Sequence, residues 1–581
     1  MRVKLARVAG FCMGVRRAME IALEASRTAP KPVYTLGPLI HNPSALALLE
    51  KQGVSILKDI PEKGEGTVII RAHGTPPSTI EKLKRAGFYI KNATCPKVVK
   101  VQMLAKTYTA KGYYCVLIGD EGHAEVIGIL AHAGDKGLLV SSEEDIEKLP
   151  KLDKYIILAQ TTQDRKRFER WCQKILEKNP GGKIFDTICD ATFRRQHEVR
   201  RLAKHVEAMV VVGGKSSANT QRLAKIAKEC NTFTLAVETA DDLDLEKLKN
   251  FSSIGVTAGA STPNWVINQV VKQLEALPGK RETILERGTK QLIRFLLEAN
   301  LMTGFAGFCL TFGIGMILGL GLRSIIAAVA AGSYIYVMHT LNRLLNREAG
   351  RYNDPLRANF LTTHQKALIG FSILLSIVSI LASFYLGRNA FLIYLALFLL
   401  GALYTARLLT NKRINKKIMV LSGTKSFLVP LAWSIVSVIA PTIDINKFDP
   451  KLIMLLFLLS FAIVFLRSAL LDVLEIHGDK IVGKETIAVI LGESKTITLI
   501  KFVASLIAIT SLLLVIFKLT PIGVICFLPI SLIFLLLSFK LKGEAIGLLL
   551  RLELFVELNF ILFALLISTL KLLSLRLNFK V

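Results

Sequence analysis

The chain has 581 residues, of which 52% are hydrophobic and 20% charged, and its formal net charge is +29. So apolar a chain can bury ample surface, which excludes disorder as its main state. Its mean hydropathy of +0.46 is too high for an ordinary soluble enzyme. The charged fraction is too large for a protein that lies wholly in a bilayer. We therefore expect a soluble part and a membrane part that meet near residue 290.

Residues 1–278 are predicted to form a soluble α/β domain. Short apolar runs, typical of buried parallel strands, occur at residues 66–71, 114–119, 155–160 and 209–214. Helical patterns follow these runs, for example at residues 164–178. Strands and helices that alternate in this way favour parallel sheets with crossover helices.

From about Leu301 the sequence becomes a series of long apolar stretches. Each is close to the length of about 20 residues that a helix needs to cross the hydrocarbon core. We predict an all-α bundle of nine transmembrane helices over residues 296–581, preceded by a basic linker at residues 279–295. The nine stretches lie at residues 301–322, 324–341, 366–386, 389–409, 418–441, 452–471, 496–517, 520–539 and 551–572.

The loops between these stretches predict the orientation. Lysines and arginines concentrate after the second, fourth, sixth and eighth stretches, so these loops and the N-terminal domain are expected in the cytoplasm. The first residues contain no apolar core of a secretory signal. We expect a multi-pass protein of the cytoplasmic (inner) membrane whose basic loops contact anionic lipids. No basic stripe interleaved with aromatic residues is present, so nucleic acid is not an expected partner.

Three of the eight cysteines differ from the rest. Cys12, Cys95 and Cys189 each lie in a turn of small residues that opens a predicted helix, where the helix N-terminus favours a thiolate. The other five lie inside predicted strands, helices or apolar stretches, as core cysteines usually do. Three converging thiolates suit an iron–sulfur cluster with one unligated iron. Spacing alone leaves three unrelated buried cysteines equally open.

The motifs around these cysteines carry a family resemblance. With them in this order, residues 3 to about 277 closely resemble the 4-hydroxy-3-methylbut-2-enyl diphosphate reductase (IspH or LytB) family. The resemblance implies a three-lobed, trefoil-like α/β fold and a [4Fe–4S] cluster held by Cys12, Cys95 and Cys189. The motifs are Gly10-Phe-Cys-Met-Gly-Val, His41-Asn, Ala72-His-Gly, Ala93-Thr-Cys-Pro, Gly122-His-Ala-Glu-Val, Gln160-Thr-Thr, Ile188-Cys-Asp-Ala-Thr, Gly214-Lys-Ser-Ser-Ala-Asn and Thr257-Ala-Gly-Ala-Ser-Thr-Pro.

The same resemblance implies a reaction and roles for residues. The family removes an allylic hydroxyl with two electrons and two protons and yields isopentenyl and dimethylallyl diphosphate. Glu125 matches its proton donor and Thr161 the hydroxyl that relays the proton. Reduced ferredoxin or flavodoxin is the expected electron donor. The residues expected to bind the allylic diphosphate substrate are His41, His73, His123, Thr161, Ser217, Asn219 and Ser261.

Two points qualify this interpretation. The family often has two adjacent serines before the asparagine, and here Ser217 is followed by Ala218, so one hydroxyl donor is missing. We expect the change to be tolerated because a backbone N–H remains there, although affinity could fall. The alternative for the whole chain is a redox or transport protein whose cysteines are structural.

A polar segment after the sixth apolar stretch is the main feature of the membrane half. Asp472, Glu475 and Asp479 are three and four residues apart, which places them on one face of a helix. Carboxylates at a membrane edge are costly unless they are paired or bind a metal, and Mg²⁺ that bridges carboxylates and a diphosphate is their natural use. A solvated cytoplasmic loop is the other interpretation.

The membrane half resembles the UbiA family of intramembrane prenyltransferases over about residues 295–575. The resemblance rests on the acidic segment, on Gly483-Lys-Glu-Thr and Tyr404-Thr-Ala-Arg, and on Lys425 before Pro430-Leu-Ala-Trp. It implies two aspartate-rich loops that hold a prenyl diphosphate with Mg²⁺. The expected site consists of Asn342, Asn346, Asp472, Glu475 and Asp479.

The first of these two loops departs from the family pattern. Asn342, Pro355 and Arg357 match, but the positions where acids are expected hold Arg343, Asn346 and Gly350. Guanidinium groups pair well with phosphate, so arginines here could hold the diphosphate directly. The sequence thus leaves two hypotheses open, an active prenyltransferase and an inactive, prenyl-diphosphate-binding membrane anchor.

Overall fold

A computed structural model gives the fold, and it describes residues 1–230, 232–277, 284–345, 350, 352–410, 424–445, 447–482, 486–540 and 549–577. The chain divides into two compact units. We call Met1–Glu282 the first unit and Thr283–Val581 the second unit. Part of the predicted basic linker, from Ile284 onward, lies in a helix of the second unit, Ile284–Glu298.

The first unit contains three sheets of four strands each. Their orders are β1-β12-β10-β11, β3-β2-β4-β5 and β7-β6-β8-β9, and every paired strand is parallel. The predicted three lobes of parallel sheet are therefore confirmed. The strands are β1 Arg2–Leu5, β2 Val33–Leu36, β3 Val54–Leu57, β4 Thr67–Ile70, β5 Tyr89–Asn92, β6 Tyr114–Ile118, β7 Gly137–Val140, β8 Tyr155–Ala159, β9 Lys183–Ile184, β10 Ala208–Val212, β11 Phe233–Val237 and β12 Ser253–Ala258.

The central strands are apolar throughout because both faces of each sheet are covered. In β6, Val116 and Ile118 belong to one core cluster, and Cys115 and Leu117 belong to another. All four are 0% exposed. Successive side chains of a strand point to opposite faces, so a strand buried on both faces must be continuously apolar. This is why these strands can be identified in the sequence as apolar runs.

Helices connect the strands of the first unit. Three of them, Met13–Thr28, Pro96–Ala110 and Asp190–Ala203, begin directly after Cys12, Cys95 and Cys189 and carry the chain from one sheet to the next. Each lobe is therefore entered through one of these three cysteines. The other helices of four or more residues are Pro43–Lys51, Pro77–Arg85, Ala124–Ala133, Glu143–Glu147, Arg165–Lys178, Ala218–Glu229, Leu245–Leu248 and Asn264–Ala276.

The described part of the second unit is helical. Large apolar side chains such as Phe384, Leu381 and Phe502 are 70%, 65% and 65% exposed on its outside, as expected of surfaces that face lipid. Its principal helices are Ile284–Glu298, Leu301–Ile317, Leu322–Leu345, Pro355–Thr363, Gln365–Leu386, Arg388–Thr410, Thr424–Ser434, Pro450–Val482, Ile487–Leu491, Glu493–Ile516, Phe527–Lys540 and Leu549–Leu577.

The predicted count of nine membrane-spanning helices is not confirmed. Within the described ranges, six helices are long and apolar enough to cross a membrane, and a seventh span results if Gly288–Glu298 and Leu301–Ile317, bent by 75°, count as one. Two further apolar helices, Arg388–Leu403 and Ser426–Thr442, are shorter. Hydropathy does not detect such bends and breaks: Asn300 has a positive φ of 60° at the first bend. The coarser prediction of a multi-pass helical membrane region agrees with these helices.

Candidate functional site

Cys12, Cys95 and Cys189 occupy equivalent positions in the three lobes. Each is the N-cap of its helix, with extended backbone. Each also donates its backbone N–H to a carbonyl just beyond the carboxyl end of a strand. These bonds join Cys12 to Ala260 at 3.0 Å, Cys95 to Ala72 at 2.9 Å and Cys189 to Thr161 at 2.9 Å. The repeated geometry brings cysteines that are distant in sequence to one cavity of about 110 Å³.

The three thiols form a donor set of the kind that an iron–sulfur cluster needs. Burial raises the pKa of the Cys95 thiol, backbone N–H groups of Lys97 and Val98 lower it, and the nearby Cys12 and Cys189 raise it further. Three adjacent thiolates therefore need a strongly cationic partner. No three His, Cys, Asp or Glu side chains in the described residues are arranged around one metal ion.

Glu125 and Thr161 form a buried acid–hydroxyl pair in the same cavity. The Thr161 N–H donates to Oε1 of Glu125 at 2.7 Å, and the Thr161 hydroxyl donates to Oε2 at 3.0 Å. Burial raises the pKa of Glu125 to about 7, although both bonds from Thr161 oppose the rise. A carboxyl with a pKa near 7 can donate a proton at physiological pH.

His41, His73 and His123 lie side by side along the cavity. The rings of His41 and His73 are 5.0 Å apart, and those of His73 and His123 are 5.5 Å apart. Burial is the main cause that lowers the pKa of all three, to about 3 for His73. The imidazoles are thus neutral near pH 7, and an anion in the cavity would stabilise their protonated forms.

Polar groups of the lobe built on the sheet β1-β12-β10-β11 complete the cavity. Ser217 caps the helix Ala218–Glu229, and Ser261 donates its hydroxyl to the carbonyl of His41 at 3.2 Å. Both amide atoms of Asn219, which is 6% exposed, lack a hydrogen-bond partner among the described residues, as does Nδ1 of His73. Buried polar atoms without partners are costly. The cavity is therefore prepared for a polar ligand.

A second cavity, also of about 110 Å³, lies in the second unit. It brings together Asn342, Asp472 and Glu475. Asp479 is fully buried but does not line this cavity, and Asn346 lies outside the described residues. The remaining charged lining residues are Arg343, Asp354, Arg357 and Arg467.

Two buried glutamates of the helix Leu549–Leu577 hold these arginines. Glu553 accepts hydrogen bonds from Arg343 at 3.0 Å and from Arg357 at 2.7 and 3.2 Å. Glu557 pairs with Arg467, and Arg467 also lies over the Trp433 ring at 5.0 Å. An apolar cavity of about 280 Å³ adjoins the polar one and shares His339, Asn342 and Val429 with it. A ligand with a charged head and an apolar tail matches this pair of cavities.

Comparison with known proteins identifies the family. The model of the LytB protein family matches residues 3–275. The 4-hydroxy-3-methylbut-2-enyl diphosphate reductase of Pelobacter propionicus is 43% identical over 274 residues, which are 47% of this chain and 98% of that protein. The chain belongs to the LytB family. The reductase of the same name from Geobacter sp. strain M21 is another LytB relative, 43% identical over 278 residues, or 48% of this chain and 98% of its own.

Both halves of the chain have recognised relatives. A solved structure of (E)-4-hydroxy-3-methyl-but-2-enyl diphosphate reductase is 40% identical and covers 47% of this chain and 99% of its own, with a TM-score of 0.39. The model of the UbiA prenyltransferase family matches residues 300–544. The two family models show that the chain is a LytB domain fused to a UbiA-like membrane domain, and both resemblances noted in the sequence are confirmed.

The cavity of the three cysteines in the first unit also contains residues that sequence reasoning missed. Lys97, Thr162 and Arg195 line it. Arg195 is 3% exposed and donates to the carbonyls of Gly10 at 2.6 Å and Ala191 at 3.0 Å. Lys97 and Thr162 are close in sequence to Cys95 and Thr161, which was the available signal. Nothing in the sequence distinguishes Arg195 from the other arginines of its helix.

Proposed function

We propose that the first unit reduces 4-hydroxy-3-methylbut-2-enyl diphosphate to isopentenyl and dimethylallyl diphosphate. The allylic C–O bond breaks, two electrons and two protons are consumed, and the hydroxyl leaves as water. The observation that carries the proposal is one cavity lined by three cysteines, the Glu125–Thr161 pair and three histidines. Relatives at 43% identity bear the name of this reductase.

Cys12, Cys95 and Cys189 would hold a [4Fe–4S] cluster at the N-termini of the three helices that they cap. When bound, that cluster supplies electrons and an open, Lewis-acidic iron for the substrate hydroxyl. The helix N-termini contribute partial positive charge that stabilises the thiolates. Gly14 is required beside them, because a Cβ at this position would collide with the Cys95 sulfur.

Glu125 supplies the proton that leaves with the hydroxyl. Its carboxyl is held by both polar groups of Thr161, so its orientation in the cavity is fixed. The Thr161 hydroxyl can pass a proton from Glu125 onward and take one in return, because a hydroxyl both donates and accepts. Burial keeps a large fraction of Glu125 protonated at pH 7, as its pKa of about 7 requires.

The diphosphate binds to the histidines and to the donors of the lobe built on the sheet β1-β12-β10-β11. Asn219 offers amide hydrogens that are unused among the described residues, and Ser217 and Ser261 offer hydroxyls. Hydrogen bonds to phosphate oxygens are charge-assisted and strong. Protonation of His41 or His123 would follow the arrival of the anion and strengthen its binding.

The setting of the enzyme is part of the proposal. Reduced ferredoxin or flavodoxin supplies the electrons, and the first unit lies on the cytoplasmic side of the inner membrane, in accord with the basic loops. The functional domains are residues 1–278 and 296–581, with 279–295 as the linker. The candidate membrane spans support a multi-pass protein in contact with lipids.

The second unit is proposed to bind a prenyl diphosphate between its polar and apolar cavities. The match to the UbiA prenyltransferase family favours transfer of the prenyl group to an acceptor. A binding anchor without transferase activity is the competing hypothesis, because Arg343 stands where an acid is expected. Product formation from a labelled prenyl diphosphate in membranes, lost in Asp472→Asn, supports transfer. Absence of product with every acceptor tested supports the anchor.

The reductase proposal is tested on the full chain purified without oxygen in detergent. Iron and sulfide are assayed together with reduction of 4-hydroxy-3-methylbut-2-enyl diphosphate by a chemically reduced dye. Cys12→Ser, Cys95→Ser and Cys189→Ser should each lower the iron content and abolish activity, whereas Cys230→Ser, outside the cavity in the same unit, should not. A folded, iron-free and inactive protein would overturn the proposal.

A further inference from the structure

The cavity of the second unit carries both signs of charge on different helices. Arg343 lies on Leu322–Leu345 and Arg357 on Pro355–Thr363, whereas Asp472 and Glu475 lie on Pro450–Val482. All four line one cavity of about 110 Å³. A diphosphate group that enters it can meet guanidinium groups directly and can meet carboxylates only through a cation.

The arginine part is held by one buried carboxylate. Glu553 is 3% exposed and Arg357 is 5% exposed, and their bonds at 2.7 and 3.2 Å form a bidentate pair. Arg343 joins the same carboxylate at 3.0 Å, so one glutamate orients two guanidinium groups. This arrangement occupies the part of the sequence where the first acidic loop was expected.

Each of these two arginines has an N–H donor that the contacts with Glu553 do not use. Nη1 of Arg343 and Nε of Arg357 are buried and have no hydrogen-bond partner among the described residues. Asp354 is 4.0 Å from Nε of Arg357, too far for a hydrogen bond. Buried N–H groups of this kind call for an acceptor, and phosphate oxygens match the planar guanidinium fork.

The acidic part is suited to a single cation. Asp472 and Glu475 are one helical turn apart, and Asp472 accepts a hydrogen bond from the Ser426 hydroxyl at 2.6 Å. No third carboxylate, histidine or cysteine in the described ranges joins them as a metal ligand. Mg²⁺ is typically held by one or two carboxylates, substrate phosphate oxygens and water. Two carboxylates therefore suffice only when the diphosphate is present.

We propose that this cavity binds a prenyl diphosphate with one divalent cation, held at Asp472 and Glu475, and that Arg343 and Arg357 contact the phosphate oxygens directly. The inference rests on the proposed prenyl-diphosphate binding of the second unit and specifies its metal requirement. The ligand retains measurable affinity without metal, since both guanidinium groups contact it without a cation.

The test uses the full chain in detergent, with geranyl diphosphate as probe and Mn²⁺ counted by electron paramagnetic resonance. Asp472→Asn with Glu475→Gln should lower the number of probe-dependent Mn²⁺ ions by one per chain. Loss of two ions would overturn the single-cation assignment. Geraniol, which lacks the diphosphate, should recruit no Mn²⁺.

Metal-free binding tests the role of the arginines. With chelator present, Arg343→Gln should weaken geranyl diphosphate binding roughly tenfold or more, as loss of a charge-assisted hydrogen bond predicts. Arg343→Lys keeps the charge and loses the planar fork, so its affinity should lie between those of Arg343→Gln and the wild type. Lys366→Ala, at an exposed lysine outside the cavity, should bind with the affinity of the wild type. Unchanged affinity in Arg343→Gln would overturn the inference and leave the binding function intact. If the wild type does not bind geranyl diphosphate with or without Mn²⁺, the proposed binding function itself fails.

Discussion

The pH dependence of the reductase follows from the position of Glu125. Burial raises its pKa from the usual 4.5 to about 7, so the acid form needed for proton donation is lost as the pH rises above 7. For one group that must be protonated, kcat/KM falls tenfold for each pH unit beyond the pKa, and at pH 9 it should be about 1% of its maximum. Since kcat/KM reports on the free enzyme, this pKa is the relevant one.

Glu125→Gln provides the decisive comparison. The amide keeps the shape of the protonated carboxyl but cannot deliver a proton, and removal of a general acid typically costs about 10²- to 10⁴-fold in rate. The assay is kcat/KM for 4-hydroxy-3-methylbut-2-enyl diphosphate from pH 6 to 9 with a reduced dye. The residual activity of the variant should lose the fall above pH 7, and Glu121→Gln, an exposed neighbour, should keep it. A wild-type profile that stays flat to pH 9 would refute the reasoning.

Three further expectations concern stability and cluster binding. Because the folded pKa of Glu125 lies above the unfolded one, its contribution to stability is complete below about pH 4.5 and is lost as the pH rises through about 7. Glu125→Gln should therefore be more stable than the wild type at pH 8, by about 3 kcal/mol, and equal to it at pH 4, as thermal unfolding of the cluster-free protein would show. Gly14→Ala should lower the iron content, because its Cβ collides with the Cys95 sulfur. Glu553→Gln should lower the free energy of unfolding of the second unit by about 3–5 kcal/mol, because Arg357 is left buried without its carboxylate. Adding Arg357→Met to the same chain should recover much of this loss.

The parallel sheets could be predicted because burial on both faces leaves a direct mark on the sequence. The strand predicted at residues 155–160 is Tyr155–Ala159 in the structure, and every one of its residues is 0% exposed. The cysteine turns were also visible, since a small-residue turn before a helical pattern marks an N-cap. The three turns meet in one cavity because of the order of the strands in the sheets. No local pattern in the sequence predicts that order.

Pairings between distant residues were the part that sequence reasoning could not reach. The ion pair of Arg343 with Glu553 joins residues 210 positions apart, and Glu553 lies in an apolar stretch where nothing marks it as a partner. Asp472, Glu475 and Asp479 share a helix, yet Asp479 does not line the cavity. Periodicity assigns residues to a helix and approximately to a face, whereas the neighbouring helices decide which of them reach a ligand.

The closure of the first sheet constrains when the cavity can form during synthesis. β1 pairs with β12, with Arg2 opposite Ser253, and the N–H of Cys12 bonds to the carbonyl of Ala260. Translation at about 5–20 residues per second separates the emergence of these partners by roughly 10–50 s. The backbone partner of Cys12 is therefore made only near the end of the domain, so β1 remains unpaired for most of that time. Cluster insertion into the complete three-cysteine site can consequently begin only when the ribosome is already adding the membrane helices.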